Sequence, residues 1–508
     1  MTVNKLLSLF FFFFFSCVFF PVNRLQAQER PNVIYIYADD LGWGDLSSYG
    51  ATKIHTPHID QLAAQGAMFT NAHCTSGTCT PSRYALMTGE YPWRKNINIL
   101  PGDARLLIPT DKITLPKLFQ RSGYTTGIVG KWHLGLGNSI KKDWNGAISP
   151  GPNEVGFDYS FIFPATADRV PTVFIENHHV VSLEKKDTLL VDYQKKIGVD
   201  PTGKEHPELL KMKASVGQGH DQTIVNGIGR IGYMSGGKTA RWTDEELSFT
   251  FLHKAQQFIE QHKQSPFFLY LAVTEPHVPR MPATIFKGAS GLGFRGDVIL
   301  QLDWTVGEII KQVEQAGLAN NTIIIFTSDN GPVLNDGYED EAESKLNGHT
   351  PWGPFRGGKY SAFEAGTRIP FIIRWPGKIQ PVVSDALICQ IDLLASFGQL
   401  LQQPIPAGEA IDSKNMLQTI LGQSKESRSE LVVQGGALAL IKGGWKYINP
   451  YKGVAIEKFT GIETGSSPED QLYNLETDKG EQHNLALKYP EKLREMKAEL
   501  EHIKNSNK

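Results

Sequence analysis

The 508-residue sequence has few cysteines, no block of basic residues, no internal repeat, and no low-complexity tract or membrane-length apolar run after residue 27. Each absence excludes something. Lys and Arg number 51 against 53 Asp and Glu, a formal charge of -2, so the basic face that nucleic-acid binding ordinarily needs is missing. An anion could still be held in a local cationic pocket. Hydrophobic residues at 41% and charged residues at 20% leave enough apolar surface for a large core, which excludes disorder or coiled coil as a description of the whole chain. Of the 4 cysteines, Cys74, Cys79 and Cys389 follow the N-terminal segment, and an odd number cannot complete a disulfide framework in an exported chain. Cys389, within Ala386-Leu387-Ile388-Cys389, reads as a small buried hydrophobe.

The N-terminal segment is set aside before fold reasoning. Lys5 precedes a run of 15 residues, Leu6 to Phe20, and Arg24-Leu25-Gln26-Ala27 forms a plausible cleavage end, the pattern of a signal peptide over residues 1–27. The run is shorter than the roughly 20 residues of a spanning helix, so no stable membrane span is expected. Lipidation at Cys17 is disfavoured by Phe14-Phe15-Ser16 before it. An exported protein, periplasmic or secreted, is the expectation.

The remaining pattern alternates strand-like and helical periods, which predicts an α/β fold. Strands are expected at Asn32–Tyr37, Tyr124–Val129, Pro266–Val273 and Thr322–Thr327. Helices are expected at Thr243–His262, opened by a Thr243-x-x-Glu246 capping box, and at Asp297–Ala316, with Val298, Leu302, Val306, Ile309 and Val313 on one face and Gly317 as the stop. Residues 148–242 are irregular and too long for an ordinary connection, so they read as a functional insertion in a main domain over 28–408. Residues 409–508 read as a smaller C-terminal α+β subdomain, with strands Glu430–Leu440 and Trp445–Ile448 and a helix Pro490–Ile503.

Two strand ends carry acids. Asp39-Asp40-Leu41-Gly42 follows the first strand and Ser328-Asp329-Asn330-Gly331 the fourth, at the carboxyl edge where open α/β sheets bind ligands. Adjacent strand residues point to opposite faces, so Asp39 and Asp40 reach one ion only if the backbone turns out of the strand. Four oxygen donors favour a hard cation, Ca²⁺ before Mg²⁺, over zinc. In Cys79-Thr80-Pro81-Ser82-Arg83, Thr80 can cap and Pro81 can open a helix that ends near Gly89, which puts Cys79 at a helix N-terminus where anions are favoured. Taken alone, a buried thiol and a reactive one are both open readings of Cys79.

Cys79-Thr80-Pro81-Ser82-Arg83 resembles the C-x-P-S-R signature of the formylglycine-dependent sulfatases, of the alkaline phosphatase superfamily, in which that cysteine becomes an aldehyde before export. The resemblance extends in family order through Asp39-Asp40, Gly130-Lys131-Trp132-His133-Leu134-Gly135, Glu275-Pro276-His277, Asp329-Asn330-Gly331 and Arg356-Gly357-Gly358-Lys359. Cys74 lacks the signature and should stay a thiol. The resemblance implies a large central mixed, mostly parallel sheet flanked by helices. It implies one Ca²⁺ on Asp39, Asp40, Asp329, Asn330 and the group formed from Cys79, with a formylglycine-installing maturase as partner during biosynthesis. It further implies attack on sulfur by hydrated formylglycine, with Lys131 on the sulfate and formylglycine, His133 on the second hydroxyl's proton, His277 as general acid and Lys359 on sulfate oxygens. Lys131 and His133, two apart, share a side if the backbone stays extended. Arg83, Lys131 and Lys359 with the metal would form a cationic pocket where transition-state charge develops.

Two rival functions are a phosphonate monoester hydrolase or phosphodiesterase of the same superfamily and a non-catalytic sulfated-glycan binding protein. Two-metal relatives typically carry Asp-His where this chain has Asp329-Asn330, which argues for one hard metal and a sulfate ester. A binding protein would have lost a chemical residue, and none of the matched ones is missing. Export and an insertion bearing Asp168, Arg169, His178, His179, His220 and Arg241 suit a sulfated carbohydrate, and the resemblance extends to bacterial enzymes that desulfate algal polysaccharides such as ulvan or carrageenan. The pair His178-His179 equally suits the turn of a hairpin between Val173-Phe174-Ile175 and Val180-Val181-Ser182.

Mass spectrometry of the Cys79 tryptic peptide should show conversion of thiol to aldehyde in protein made with a maturase. Activity in fully unmodified Cys79 protein would overturn the formylglycine chemistry.

Overall fold

The computed structural model describes residues 30–506, so the signal-peptide reading lies outside the described residues. Its centre is an 11-stranded sheet. The strands are β1 (Asn32–Ala38), β2 (Ala67–His73), β3 (Thr125–Lys131), β4 (Tyr159–Phe163), β5 (Ile175–Glu176), β6 (His179–Val180), β7 (Phe267–Ala272), β8 (Thr322–Ser328), β9 (Arg368–Arg374), β10 (Val382–Ser384) and β11 (Ile388–Cys389). They lie in the order β10-β2-β9-β8-β1-β7-β3-β4-β5-β6, with β11 also on β2. From β8 through β4 the pairing is parallel throughout. The antiparallel β9 separates this block from β2, which therefore points the same way as β8. Segments after β1, β2, β3, β4, β7 and β8 thus leave one carboxyl edge.

Two-sided burial explains the near-continuous apolar strands. Val33, Tyr35 and Tyr37 join one core cluster with Tyr84, Leu86, Met87 and Phe119, whereas Ile34 and Ile36 join another beneath the helices. Helix α1 (Cys79–Thr88) lies on the first side, and α2 (Leu247–His262) and α3 (Gly293–Gln315) pack on the second. Val298, Leu302, Val306, Ile309 and Val313 are all buried as their spacing predicts.

Four local expectations change. The Thr243 side chain makes no capping bond: a 3-10 turn Asp244–Glu246 leads into α2 at Leu247. Helix α3 starts four residues before the expected Asp297, because its glycine-broken first turn is held from outside by buried Arg295 and Asp297 rather than by propensity. Glu430–Leu440 is not one strand but a hairpin, β12 (Leu431–Gln434) and β13 (Leu438–Lys442), turning at Gly435-Gly436. With β14 (Trp445–Ile448) and β15 (Gln471–Asn474) it makes a four-stranded antiparallel sheet, backed by α4 (Pro490–Asn505). The supposedly irregular 148–242 segment supplies β4 and the β5–β6 hairpin to the main sheet, and further along it forms two small two-stranded sheets, Leu190–Asp192 with Tyr233–Ser235 and Ile224–Val225 with Ile228–Gly229. No helix among the described residues is long and apolar enough to cross a membrane.

One buried ion pair fixes the loop after β1. Arg295 of α3 donates two bonds to Asp45, at 2.7 and 2.6 Å, and His349 Nε2 lies 2.8 Å from the same carboxylate. Burial opposes ionisation of Asp45, but Arg295 and His349 outweigh it and hold the carboxyl at about 2. A depressed carboxyl pKa contributes stability above the unfolded value near 4 and loses it as pH falls through about 2. Arg295→Met should cost about 3–5 kcal/mol in urea unfolding, because it strands a buried charge. A loss under 1 kcal/mol would show that the pair does not anchor the loop.

Candidate active site

The carboxyl edge gathers the predicted residues into one buried cluster. Asp39 and Asp40 follow β1, Lys131 ends β3, His277 follows β7, and Asp329 and Asn330 follow β8. Cys79 opens α1 just after β2, and Lys359 precedes β9. The strand ends are laced together, with Asp39 N–H donating to Glu275 O at 3.0 Å and Asp329 N–H to Ala38 O at 3.2 Å. Asp40 has φ 63°, the turn out of the strand that lets both aspartates serve one centre. Gly331 lets the β8 loop pass Ala365, since a Cβ there would meet Ala365 O at 1.7 Å.

Each aspartate is matched by a cation. Lys131 Nζ lies 2.6 Å from Asp39 Oδ2, Lys359 Nζ 2.8 Å from Asp40 Oδ2, and Arg83 donates from Nε at 3.0 Å and lies 2.8 Å away through its terminal nitrogen at Asp329 Oδ2. Burial first, and then Asp329 beside it, push the Asp39 carboxyl well above the carboxylate range despite Lys131. Asn330 donates to Asp40 Oδ1 at 2.7 Å. Asp39 Oδ1 and Asn330 Oδ1 are buried with no hydrogen-bond partner. Ligand atoms of Asp39, Cys79 and Asp329 lie within 4.8 Å of one another, as do those of Asp39, Asp40 and His277. Orphaned oxygens among crowded carboxylates fit a hard divalent cation.

Cys79 is the first residue of α1, but the capping reading fails locally. Thr78 occupies the cap without a side-chain bond, and Thr80 Oγ1 donates instead to His133 O at 3.1 Å. Burial raises the Cys79 thiol pKa, against the pull of Lys131 and Lys359. Cys74 is also buried, its thiol on Ser76 O at 3.1 Å, and Cys74, Cys79 and Cys389 are all unpaired.

His277 and His133 each commit one ring nitrogen to a backbone carbonyl. His277 Nδ1 lies 2.7 Å from Val278 O, which fixes the proton there and leaves Nε2 free, 3.8 Å from Asp40 Oδ2. His133 Nε2 donates to Leu100 O at 2.9 Å, while its Nδ1 is buried and unpartnered. Burial, then neighbouring lysines, holds both well below the usual histidine range: Lys359 and Lys131 act on His277, and Lys131 and Arg169 on His133. His133 has φ 55°, so the extended-backbone argument for pairing it with Lys131 does not hold; a left-handed turn places it.

A cavity of about 350 Å³ opens onto this cluster, lined by Cys79, His277 and Lys359 together with Asp168, Arg169 and His220. Arg83 and Lys131 do not line it: both are fully buried behind it, and Arg83 also lies over the Tyr37 ring at 4.9 Å. Of the residues expected from the 148–242 segment, Asp168 and His220 meet at 3.0 Å on the wall, with Arg169 3.3 Å from the same carboxylate. His178, His179 and Arg241 are not on that wall. His178 pairs with Glu154 at 2.9 Å, His179 is exposed on the β5–β6 hairpin, and Arg241 pairs with Asp200 at 3.1 Å. That hairpin turns at Asn177 with φ 54°, the turn reading of the His178-His179 pair.

Asp336, Tyr360, Glu457, Phe459 and Thr460 line the cavity and escaped sequence reading. Asp336 accepts from Lys359 at 2.7 Å and from Tyr360 at 3.2 Å. Glu457, Phe459 and Thr460 reach the cavity from the C-terminal subdomain. Asp336 sits two residues beyond the apolar Val333-Leu334 in an acid-rich loop, a signal too common to single it out; residues 457–460 carried none.

The sulfatase family model matches residues 31–403. An N-acetylgalactosamine-6-O-sulfatase of Bacteroides thetaiotaomicron is 54% identical over 482 residues, covering 94% of each chain. Human steryl-sulfatase is 30% identical over 431 residues, 80% of this chain and 72% of that one. A solved structure from work on metabolism of multiple glycosaminoglycans by B. thetaiotaomicron superposes with a TM-score of 0.92 at 54% identity, over 94% of this chain and 99% of that chain. Carboxylates and cations gathered at one sheet edge, a matched family model and relatives that are sulfatases along most of their length place this chain in the sulfatase family, as a hydrolase of sulfate esters.

Proposed function

We propose that the chain is an exported, formylglycine-dependent sulfatase that removes the 6-O-sulfate of N-acetylgalactosamine in a sulfated glycan. The observation that carries the chemistry is the cavity floor, where Cys79, Lys359 and the free Nε2 side of His277 meet above the buried carboxylates. The substrate rests on the relative that is 54% identical over 94% of the chain. It moves the reading from ulvan or carrageenan to an amino sugar. A maturase acting before export would be the partner that modifies Cys79.

A divalent cation, Ca²⁺ by the all-oxygen donor set, would be held by Asp39, Asp40, Asp329 and Asn330, and modified Cys79 beside it would supply a hydrated aldehyde hydroxyl acidified by the metal. The chain's own residues do the rest. Lys359 is kept protonated by Asp336 and Asp40 against the cost of burial, so a full positive charge meets the sulfate oxygens. His277 is the proton donor to the departing sugar oxygen: its depressed pKa makes the protonated ring a strong acid, and an anionic ester beside it raises its proton affinity. His133, with Nδ1 unpartnered, can accept the proton of the second hydroxyl. Arg83 and Lys131 act from behind, holding Asp329 and Asp39 in place. On the wall, Asp168, Arg169 and His220 offer acceptors and donors in a fixed geometry to sugar hydroxyls.

Exhaustive chelation should abolish activity and lower the Tm, and Ca²⁺ should restore both; a site filled a hundredfold above its Kd contributes about 2.7 kcal/mol. Stoichiometric zinc, or an enzyme unchanged by chelation, would refute the assignment.

His277 and Lys359 should separate by leaving group. A sugar alkoxide needs a proton as it leaves and a nitrophenolate does not, so His277→Ala should lose about 10²–10⁴-fold in kcat/KM on the sulfated sugar and far less on nitrophenyl sulfate. Lys359→Ala should suffer alike on both. Equal losses for His277→Ala would leave it a binding residue.

A further inference from the structure

Part of the cavity wall comes from far along the chain. Glu457, Phe459 and Thr460 line it beside Gly217 and Gln218 of the 148–242 segment. The turn that carries them is internally fixed: Glu457 N–H donates to Ile462 O at 2.8 Å, Gly461 N–H to Glu457 O at 2.9 Å, and Ile456 bridges Glu463. Phe459 projects from this turn to the mouth and meets the opposite segment there. A Cβ placed on Gly217 would touch its Cε1 at 3.5 Å, and Lys458 Nζ lies 5.3 Å from its ring centroid. It is nonetheless 37% exposed, in a cavity lined mostly by charged and polar residues, with Ile99, Ile231 and Tyr360 as its other apolar or aromatic walls.

We propose that Phe459 is a specificity-determining platform on which the apolar face of a galacto-configured sugar ring stacks while its sulfate lies on Lys359. This rests on the amino-sugar reading above. In a galacto sugar the axial 4-hydroxyl leaves the C3, C4 and C5 hydrogens as a continuous apolar patch on the other ring face. Those weakly positive C–H groups suit the negative face of a phenyl ring. In the gluco epimer the 4-hydroxyl is equatorial and the patch is broken. The polar wall of Asp168, Arg169 and His220 can satisfy hydroxyls but cannot supply such a face. Tyr360 also lines the cavity, but Lys359 Nζ lies 5.5 Å from its ring centroid and its hydroxyl donates to Asp336, which leaves Phe459 as the more exposed ring.

The test compares wild type with Phe459→Ala, Phe459→Leu and Phe459→Tyr on 6-O-sulfated N-acetylgalactosamine, its gluco epimer and nitrophenyl sulfate, with Tm as the check on folding. Phe459→Ala and Phe459→Leu should each raise KM for the galacto sugar about tenfold and shrink the galacto-over-gluco preference in kcat/KM by a similar factor. Phe459→Tyr should keep both. A preference retained by Phe459→Leu assigns the ring to packing and overturns the platform, as does a wild type with no preference between the epimers. If the wild type hydrolyses nitrophenyl sulfate but neither sugar, the amino-sugar reading fails and the platform with it.

Discussion

Charge balance at one sheet edge is the constraint on which the rest of this molecule depends. Asp39, Asp40 and Asp329 are all at or below 1% exposure, and each would be costly there without a partner. Arg83, Lys131 and Lys359 answer them one for one. Those cations come from three different segments, so the charges can be satisfied only when β1, β3, β8, α1 and the approach to β9 are all in place. The oxygens left over, on Asp39 and Asn330, are what the cation-site reading rests on.

The same balance divides labour among residues that look alike in sequence. Lys359 reaches the cavity and Lys131 does not, although both are fully or nearly buried lysines on an aspartate. Arg83 lies under the site between Asp329 and the Tyr37 ring, away from the cavity that Lys359 reaches. His277 and His133 follow a parallel logic: one ring nitrogen of each is committed to a backbone carbonyl and the other is not.

The C-terminal subdomain is less separate than its composition suggests. Ala85 of α1, Tyr91 and Cys389 share one apolar cluster with Leu431, Val433, Tyr447 and Leu472, so the helix that presents Cys79 is packed against the small sheet. Buried Lys446 bonds Glu364 at 3.0 Å and lies 3.1 Å from Glu481, tying that sheet to the approach to β9. A subdomain fixed this firmly can hold residues 457–460 at the mouth of the cavity.

By itself the sequence determined the four central strands and the residues that gather at their carboxyl ends. Strand runs such as Val33–Tyr37 and Ile323–Phe326 are apolar, rich in β-branched and aromatic residues and bounded by turn residues, so they read as buried strands, and the acids, the Cys79-Thr80-Pro81-Ser82-Arg83 string and the basic residues that match with it lie near strand ends. What only the tertiary structure decided depends on neighbours distant in the chain. The start of α3 depends on an ion pair between Arg295 and Asp45, 250 residues apart, and the left-handed turns at Asp40 and His133 are imposed by the loops around them. Which of six polar residues in the 148–242 segment face the cavity, and that Asp336 and Phe459 join them, follow from how the loops pack over the sheet edge. No local propensity encodes that, because a side chain's partner across a cavity leaves no periodic mark on its own segment.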